Sequence, residues 1–228
     1  MVQDEQGGKD AYEKAVLARN YAESRRVSWN IENMALSSKA NRLKELVEEA
    51  RSAERKVIVF SFFLDTTAKV CDMFGGDAIG PITGSVSPAR RLELIEEFEK
   101  APAGTVLVSQ ILSGGTGLNI QAASVVIICE PQLKPSIENQ AISRAYRMGQ
   151  THKVLVYRLL CVDTIDERIS EILEAKQAEF DAFADTSAAA EAPRKVEVDT
   201  ATLNKIVEEE IEKIKAREGT GRQKVPEE

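Results

Sequence analysis

The sequence has no apolar run approaching membrane-spanning length, so it offers no helix to cross a bilayer. Its start, Met1 to Asp10, is polar and lacks the apolar core of a signal peptide. Cysteine is scarce: Cys71, Cys129 and Cys161 stand far apart in apolar runs. That spacing excludes a disulfide framework or a zinc cluster and predicts buried thiols of a cytosolic protein. The single histidine, His152, has no ligand partner nearby in sequence and reads as a loop residue, so no metal is expected. Basic residues are outnumbered, 30 against 37, giving a net charge of −7. This excludes a generally basic nucleic-acid-binding surface but leaves room for a local phosphate groove. Many of the acidic residues lie after Asp163 and after Asp199. The chain also lacks G-x-x-x-x-G-K-[ST] and an Asp-Glu-x-His after a strand. Without that cradle for β- and γ-phosphates, the chain alone is expected not to hydrolyse a nucleotide.

What is present points to one layered α/β core. The chain has 228 residues, of which 43% are hydrophobic, enough for one sizeable core with extensions. Short apolar runs, Val57 to Phe60, residues 79 to 83, Thr105 to Val108, Val125 to Cys129 and Lys153 to Leu160, read as buried parallel strands. Helical patterns alternate with them. Ser37 or Ser38 caps the first, with Leu43, Leu46, Val47 and Ala50 facing inward. Asp65 or Thr66 opens the next, which Gly75-Gly76 ends. Ser87-Pro88 starts a third, lined by Leu92, Ile95 and Phe98. Thr164-x-x-Glu167 is a capping box for a long helix through Ile165, Ile169, Ile172 and Leu173. Alternation of this kind implies a doubly wound, mainly parallel sheet with helices on both faces.

The extensions divide as follows. Residues 1–36 read as a helical lead-in, 37–183 as the α/β lobe, and 184–199 as a flexible Ala/Ser/Pro-containing linker. Residues 200–218 read as an amphipathic helix striped by Leu203, Ile206, Val207, Ile211 and Ile214, and 219–228 as a disordered tail. The stripe is expected to be exposed and available for docking.

One stretch carries the chemistry: Gln140-Ala-Ile-Ser-Arg144-Ala-Tyr-Arg147-Met-Gly149-Gln150. Pro135 and Ser136 start a helix and Gly149 stops it. Gln140, Arg144 and Arg147 then share one helix face at i, i+4 and i+7. Two rigid guanidinium forks on one face suit a transferring phosphoryl group. The competing reading is a surface helix whose arginines pair with carboxylates such as Glu138.

Together with its neighbours, this stretch resembles motif VI of superfamily-two helicases in the Swi/Snf form. Lys56-Val-Ile-Val-Phe60-Ser61-Phe-Phe63 resembles motif IV. Ile82-Thr83-Gly84-Ser85 with Arg91, Ile95 and Phe98 resembles the following block. Val106-Leu-Val108 leading to Gly114-Gly115-Thr-Gly117-Leu-Asn119 resembles motif V. The resemblance covers roughly residues 37 to 180 and implies a RecA-like second lobe from a bacterial Swi/Snf-type ATPase.

The resemblance further implies a role for each matching residue. Arg144 and Arg147 would be catalytic fingers. Gln140, Gly115, Gly117 and Asn119 would face ATP. Ser61, Thr83, Ser85, Ser113 and Gly114 would face the DNA backbone. Arg91 matches a family arginine and reads equally as a structural salt bridge. ATP and Mg2+ would belong to the complete motor, bound mainly by a first lobe in cis or in trans. Double-stranded DNA would bind weakly to this lobe alone. The location would be the bacterial cytoplasm, at the nucleoid when on DNA. An RNA helicase lobe and a non-catalytic module docking through its terminal helices are the alternatives. The sequence departs from the family pattern at Phe62, where Gln is usual, and at Leu112-Ser113, where a basic residue is usual.

Overall fold

The computed structural model describes residues 29, 33–113, 119–146, 150, 152–162, 164–186, 198 and 200–221. In order, the elements are α1 (Ser38–Ser52), β1 (Lys56–Ser61), α2 (Leu64–Phe74), β2 (Ala78–Ile82), α3 (Pro88–Lys100) and β3 (Val106–Gln110). Then come β4 (Ala123–Ile128), α4 (Pro135–Ala145), β5 (Leu155–Arg158), α5 (Ile165–Thr186) and α6 (Thr200–Gly221). The five strands lie in the order β2-β3-β1-β4-β5, every pair parallel. This is the α/β, doubly wound parallel sheet that the alternating pattern predicts, in the RecA-like form that the resemblance implies.

The apolar strand runs work because a strand turns successive side chains to opposite faces. On one face Ile58, Phe60, Leu107, Val126 and Ile128 meet Leu94, Ile95 and Phe98 of α3 and Ala141 and Ala145 of α4. On the other, Val57, Val59, Val106, Val108, Val125 and Ile127 meet Leu43, Leu46, Val47 and Ala50 of α1 and Val70 of α2. Both faces are covered, which is why these strands read as continuous apolar runs rather than alternating ones.

Local signals set the helix starts. The Ser37 hydroxyl accepts the Ala40 N–H at 3.2 Å. Ser87 does the same for Arg90 at 3.3 Å, with Pro88 at the first helical position. α2 starts at Leu64, ahead of the predicted Asp65 or Thr66, and Phe63 takes the cap position without a side-chain bond. On α3, Leu94 and not Leu92 joins Ile95 and Phe98; Leu92 is exposed.

The ends of the chain depart further from expectation. Residues 1–28 lie outside the described residues. Trp29, in the stretch read as a lead-in, is buried in the α1–α2 cluster, and the Lys39 ammonium stands 5.6 Å from its ring centroid. Lys39 also donates to the Cys129 carbonyl at 3.0 Å and pairs with Asp166, both charges fully enclosed. α5 continues to Thr186, into the stretch assigned to the linker, whose residues 187–197 and 199 are not described. The stripe on α6 is not left exposed. Ile206 and Val207 are buried against Ile165, Ile169 and Val198, with Leu203, Ile211 and Leu133 packed around them. Arg168 and Glu209 pair across the two helices. The side chain of Ile214 lies outside the description.

The thiols are free. Cys129 is buried as expected, but Cys71 and Cys161 are only half-buried. Burial, with Asp72 nearby, pushes the Cys71 thiol up to about 11. No helix among the described residues is long and apolar enough to cross a membrane.

Candidate functional site at the carboxyl edge of the sheet

Parallel strands bring all their carboxyl ends to one edge, and open α/β sheets take ligands there. At the end of β1, the Ser61 hydroxyl donates to Glu130 at the end of β4, with contacts of 2.9 and 3.1 Å to the two carboxylate oxygens. The Phe62 N–H donates to the same carboxylate at 3.2 Å. Ser61 is 1% exposed and Glu130 0%. Ser61 therefore lies at the carboxyl end of β1, but its hydroxyl faces inward and is already used. Glu130 escaped the sequence reading, because a charged residue just after a strand looks like a solvated turn.

The connections after β2 and β3 lie side by side. Thr83 and Ser85 share a hydroxyl–hydroxyl bond of 2.8 Å, and Ser85 is exposed. Ser113 is buried, its hydroxyl donating to the Gln110 side chain at 2.7 Å. Gln110 in turn donates to the Phe62 carbonyl at 3.2 Å, so the connections after β1 and β3 are joined as well. Arg91 makes no ion pair among the described residues. Its donors go to backbone carbonyls instead: Val86 at 2.8 Å, Ser113 at 2.8 Å, Thr83 at 3.0 Å and Gly84 at 3.2 Å.

The arginine helix is shorter than predicted. α4 ends at Ala145 and Tyr146 is its C-cap, at φ −94° and ψ 85°, so the helix stops before Gly149. Arg147 and Gly149 lie outside the described residues, as do Gly114, Gly115 and Gly117. The predicted single helix face is thus seen only for Gln140 and Arg144. Gln140 is exposed, and its carbonyl accepts the Ser143 hydroxyl at 2.8 Å. The Arg144 carbonyl accepts the Ile120 N–H at 3.1 Å, which docks the exit of the glycine loop, beside Asn119, on the end of α4.

Among the described residues, Glu138 does not pair with Arg144. It accepts from Arg158 Nε at 2.6 Å and from the Gln132 N–H at 2.9 Å. Arg144 is half-buried, and desolvation lowers its pKa. Its Nη1 is buried and has no hydrogen-bond partner among the described residues. Buried polar atoms are normally paired, so an enclosed, unpaired cationic donor needs a reason; this one stands at the end of α4, beside the start of β4 and away from the hydroxyls at the carboxyl edge.

Gln150, directly after the undescribed residues 147–149, is a latch that the motif reading left without a role. Its amide donates to the carbonyls of Gln121, Ala123 and Ala145 at 2.8, 2.9 and 3.3 Å. No cluster of three or more His, Cys, Asp or Glu could hold a metal among the described residues. A concavity lined by Ser38, Lys39, Arg42, Leu46, Tyr157, Arg158, Leu159 and Leu160 contains none of the predicted site residues. Its cations are all paired: Lys39 with Asp166, Arg42 with Glu45 and Glu49, Arg158 with Glu138.

Comparison with known proteins agrees with this architecture. Residues 38–149 match the helicase conserved C-terminal domain. An uncharacterized ATP-dependent helicase of Mycoplasma pneumoniae is 36% identical over 143 residues, covering 62% of this chain and 14% of that protein. The putative ATP-dependent helicase/translocase YwqA of Bacillus subtilis is 33% identical over 144 residues, covering 62% of this chain and 16% of that one. The chain therefore spans only a small part of the curated relatives it matches. Among solved structures, the Sulfolobus solfataricus SWI2/SNF2 ATPase C-terminal domain superposes with a TM-score of 0.53 at 25% identity, over 77% of this chain and 71% of that one. The C-terminal part of the Fun30 ATPase domain gives 0.55 at 30% identity, over 60% of this chain and 45% of that one. With the parallel sheet, the ordered motifs and these matches in agreement, the chain belongs through residues 38–149 to the helicase C-terminal domain family, in its SWI2/SNF2 form.

Proposed function

We propose that this chain is the second motor lobe of an ATP-dependent DNA translocase. The observation that carries the reading is Arg144, a half-buried guanidinium with one nitrogen enclosed and unpaired among the described residues. A phosphoryl oxygen is the acceptor that such a donor lacks. ATP would supply the transferable phosphoryl group, and Mg2+ would be held with it mainly by the first lobe. Arg144 and Arg147 approach that group from this side. Gln140 and Asn119 border the same place, Gln140 on the exposed face of α4 and Asn119 next to the Arg144–Ile120 bond; Gly115 and Gly117, just before Asn119 in the sequence, are assigned to it by their motif.

The DNA backbone is met by the exposed hydroxyls of Thr83 and Ser85 and by the loop that starts at Ser113 and Gly114. Ser61 supports this edge through Glu130. The partners are double-stranded DNA, held weakly by this lobe alone, and the first RecA-like lobe in cis or in trans. A DNA motor of this kind works in the cytoplasm, at the nucleoid when engaged.

The test is Arg144→Ala in the motor completed with its first lobe. DNA-stimulated ATP turnover should fall by about 10³–10⁵, the usual worth of an arginine finger. ATP binding should fall far less, since the cradle is on the other lobe. Arg144→Lys should stay poor, because a point charge does not replace a planar fork. A folded Arg144→Ala motor with near-normal turnover would sink the proposal.

A further inference from the structure

The Arg91 guanidinium connects two loops that follow different strands. Three of its four bonds go to residues after β2, at the carbonyls of Thr83, Gly84 and Val86. The fourth goes to Ser113, after β3. The loops are close: a Cβ added to Gly84 would lie 4.0 Å from the Ser113 hydroxyl oxygen. A guanidinium can do this because its donors are fixed in one plane and point outward in a fork.

We propose that Arg91 is a positioning residue that holds residues 83–86 and Ser113 as one unit, so that both loops meet the same stretch of DNA backbone. The inference rests on the DNA-translocase reading above. All four acceptors are neutral carbonyls, and no carboxylate among the described residues pairs with the guanidinium. The tie therefore leaves a net positive charge beneath the hydroxyls of Thr83 and Ser85. A phosphate reaching those hydroxyls meets a favourable potential as well as a fixed geometry. Two roles are thus combined in one side chain, and a lysine separates them. Lysine keeps the charge but cannot span carbonyls from both loops.

The experiment uses this chain, a fluorescein-labelled random-sequence DNA duplex at low salt, and amide hydrogen exchange. Wild type should bind the duplex with a salt-sensitive affinity. Arg91→Lys should weaken that affinity about tenfold, the equivalent of one or two charge-assisted bonds. It should also speed exchange at residues 83–86 and at 111–113 together, while β1 and β4 stay protected. Arg90→Ala serves as the control, since Arg90 only pairs with exposed Glu93; it should change neither readout. Wild-type-like affinity in Arg91→Lys, or faster exchange in one loop only, would overturn the inference while leaving the DNA reading intact. No duplex binding by wild type at low salt would overturn that reading and this inference with it. If Arg91→Lys does not fold, wild type alone still decides. Rising duplex concentration should slow exchange in both loops in parallel, and protection of one loop alone counts against the tie.

Discussion

An enclosed cationic donor without an acceptor costs a folded chain free energy, on the order of 1–3 kcal/mol or more. Arg144 carries that cost, so its removal tests what it is for. If it serves a ligand, Arg144→Leu should leave stability unchanged or raise it slightly, because the alkyl replacement needs no hydrogen bond. Chemical denaturation of the chain measures this; a loss above about 2 kcal/mol would instead mark a structural arginine. Gly80 shows the opposite relation, a residue fixed by the fold alone. Its φ is +120°, and a Cβ there would stand 2.5 Å from the Val108 carbonyl oxygen. β2 can lie against β3 at this point only without a side chain. Gly80→Ala should cost about 1–3 kcal/mol from backbone conformation alone, with the steric clash added to it. An unchanged denaturation midpoint would mean that the two strands separate there at no cost.

Between elements, the Lys39–Asp166 pair decides how the C-terminal helices attach. Lys39 stands at the start of α1, Asp166 at the start of α5, and the Cys129 carbonyl at the end of β4 lies between them. Both side chains are enclosed, so removing one strands the other charge. Asp166→Ala should therefore destabilise the chain by about 3–5 kcal/mol, read by thermal or chemical denaturation, and Lys39→Met in the same background should recover part of it. No recovery would mean that Asp166 acts through a different partner.

This junction was not legible in the sequence, where Lys39 and Asp166 are ordinary charges on amphipathic helices. Strands and helix starts were legible, because apolar runs and Ser or Pro caps act locally. Strand order was not, since a run such as Val106 to Val108 carries no sign of which neighbours it will pair with. The end of α4 was misjudged for a related reason. Gly149 is a valid stop signal, but the chain leaves the helix at Tyr146, where the Gln150 amide binds the Ala145 carbonyl. The α6 stripe looked like a docking surface only because its cover, α5, is chosen by tertiary packing. At the site, motif order singled out Arg144, Thr83 and Ser85, but did not show that the two hydroxyls lie past the end of β2 while Arg144 closes α4 beside the start of β4. Spacing alone could not show that Ser61 is committed to Glu130 or that Arg158 has taken Glu138.

As a whole, the molecule carries a helicase C-terminal domain over residues 38–149, which on the function proposed above is one half of a nucleotide site. Its matched relatives are about six to seven times longer than the aligned segment, judged from the 14% and 16% of their length covered. Its sequence contains no G-x-x-x-x-G-K-[ST] loop. Arginines that stabilise a transferring phosphoryl group accelerate nothing when no cradle orients that group. This chain alone should therefore show no ATP turnover above background, with or without DNA, in a steady-state phosphate-release assay. Duplex DNA should bind it weakly, since a net charge of −7 opposes the polyanion everywhere except the loops at the carboxyl edge. Raising salt should abolish that binding early. Adding the first lobe, fused or in trans, should restore DNA-stimulated turnover, and Arg144→Ala should remove it again. Turnover by the isolated chain, persisting in Arg144→Ala, would mean that the nucleotide is handled at another place, and that the edge described here is only the scaffold of a binding module.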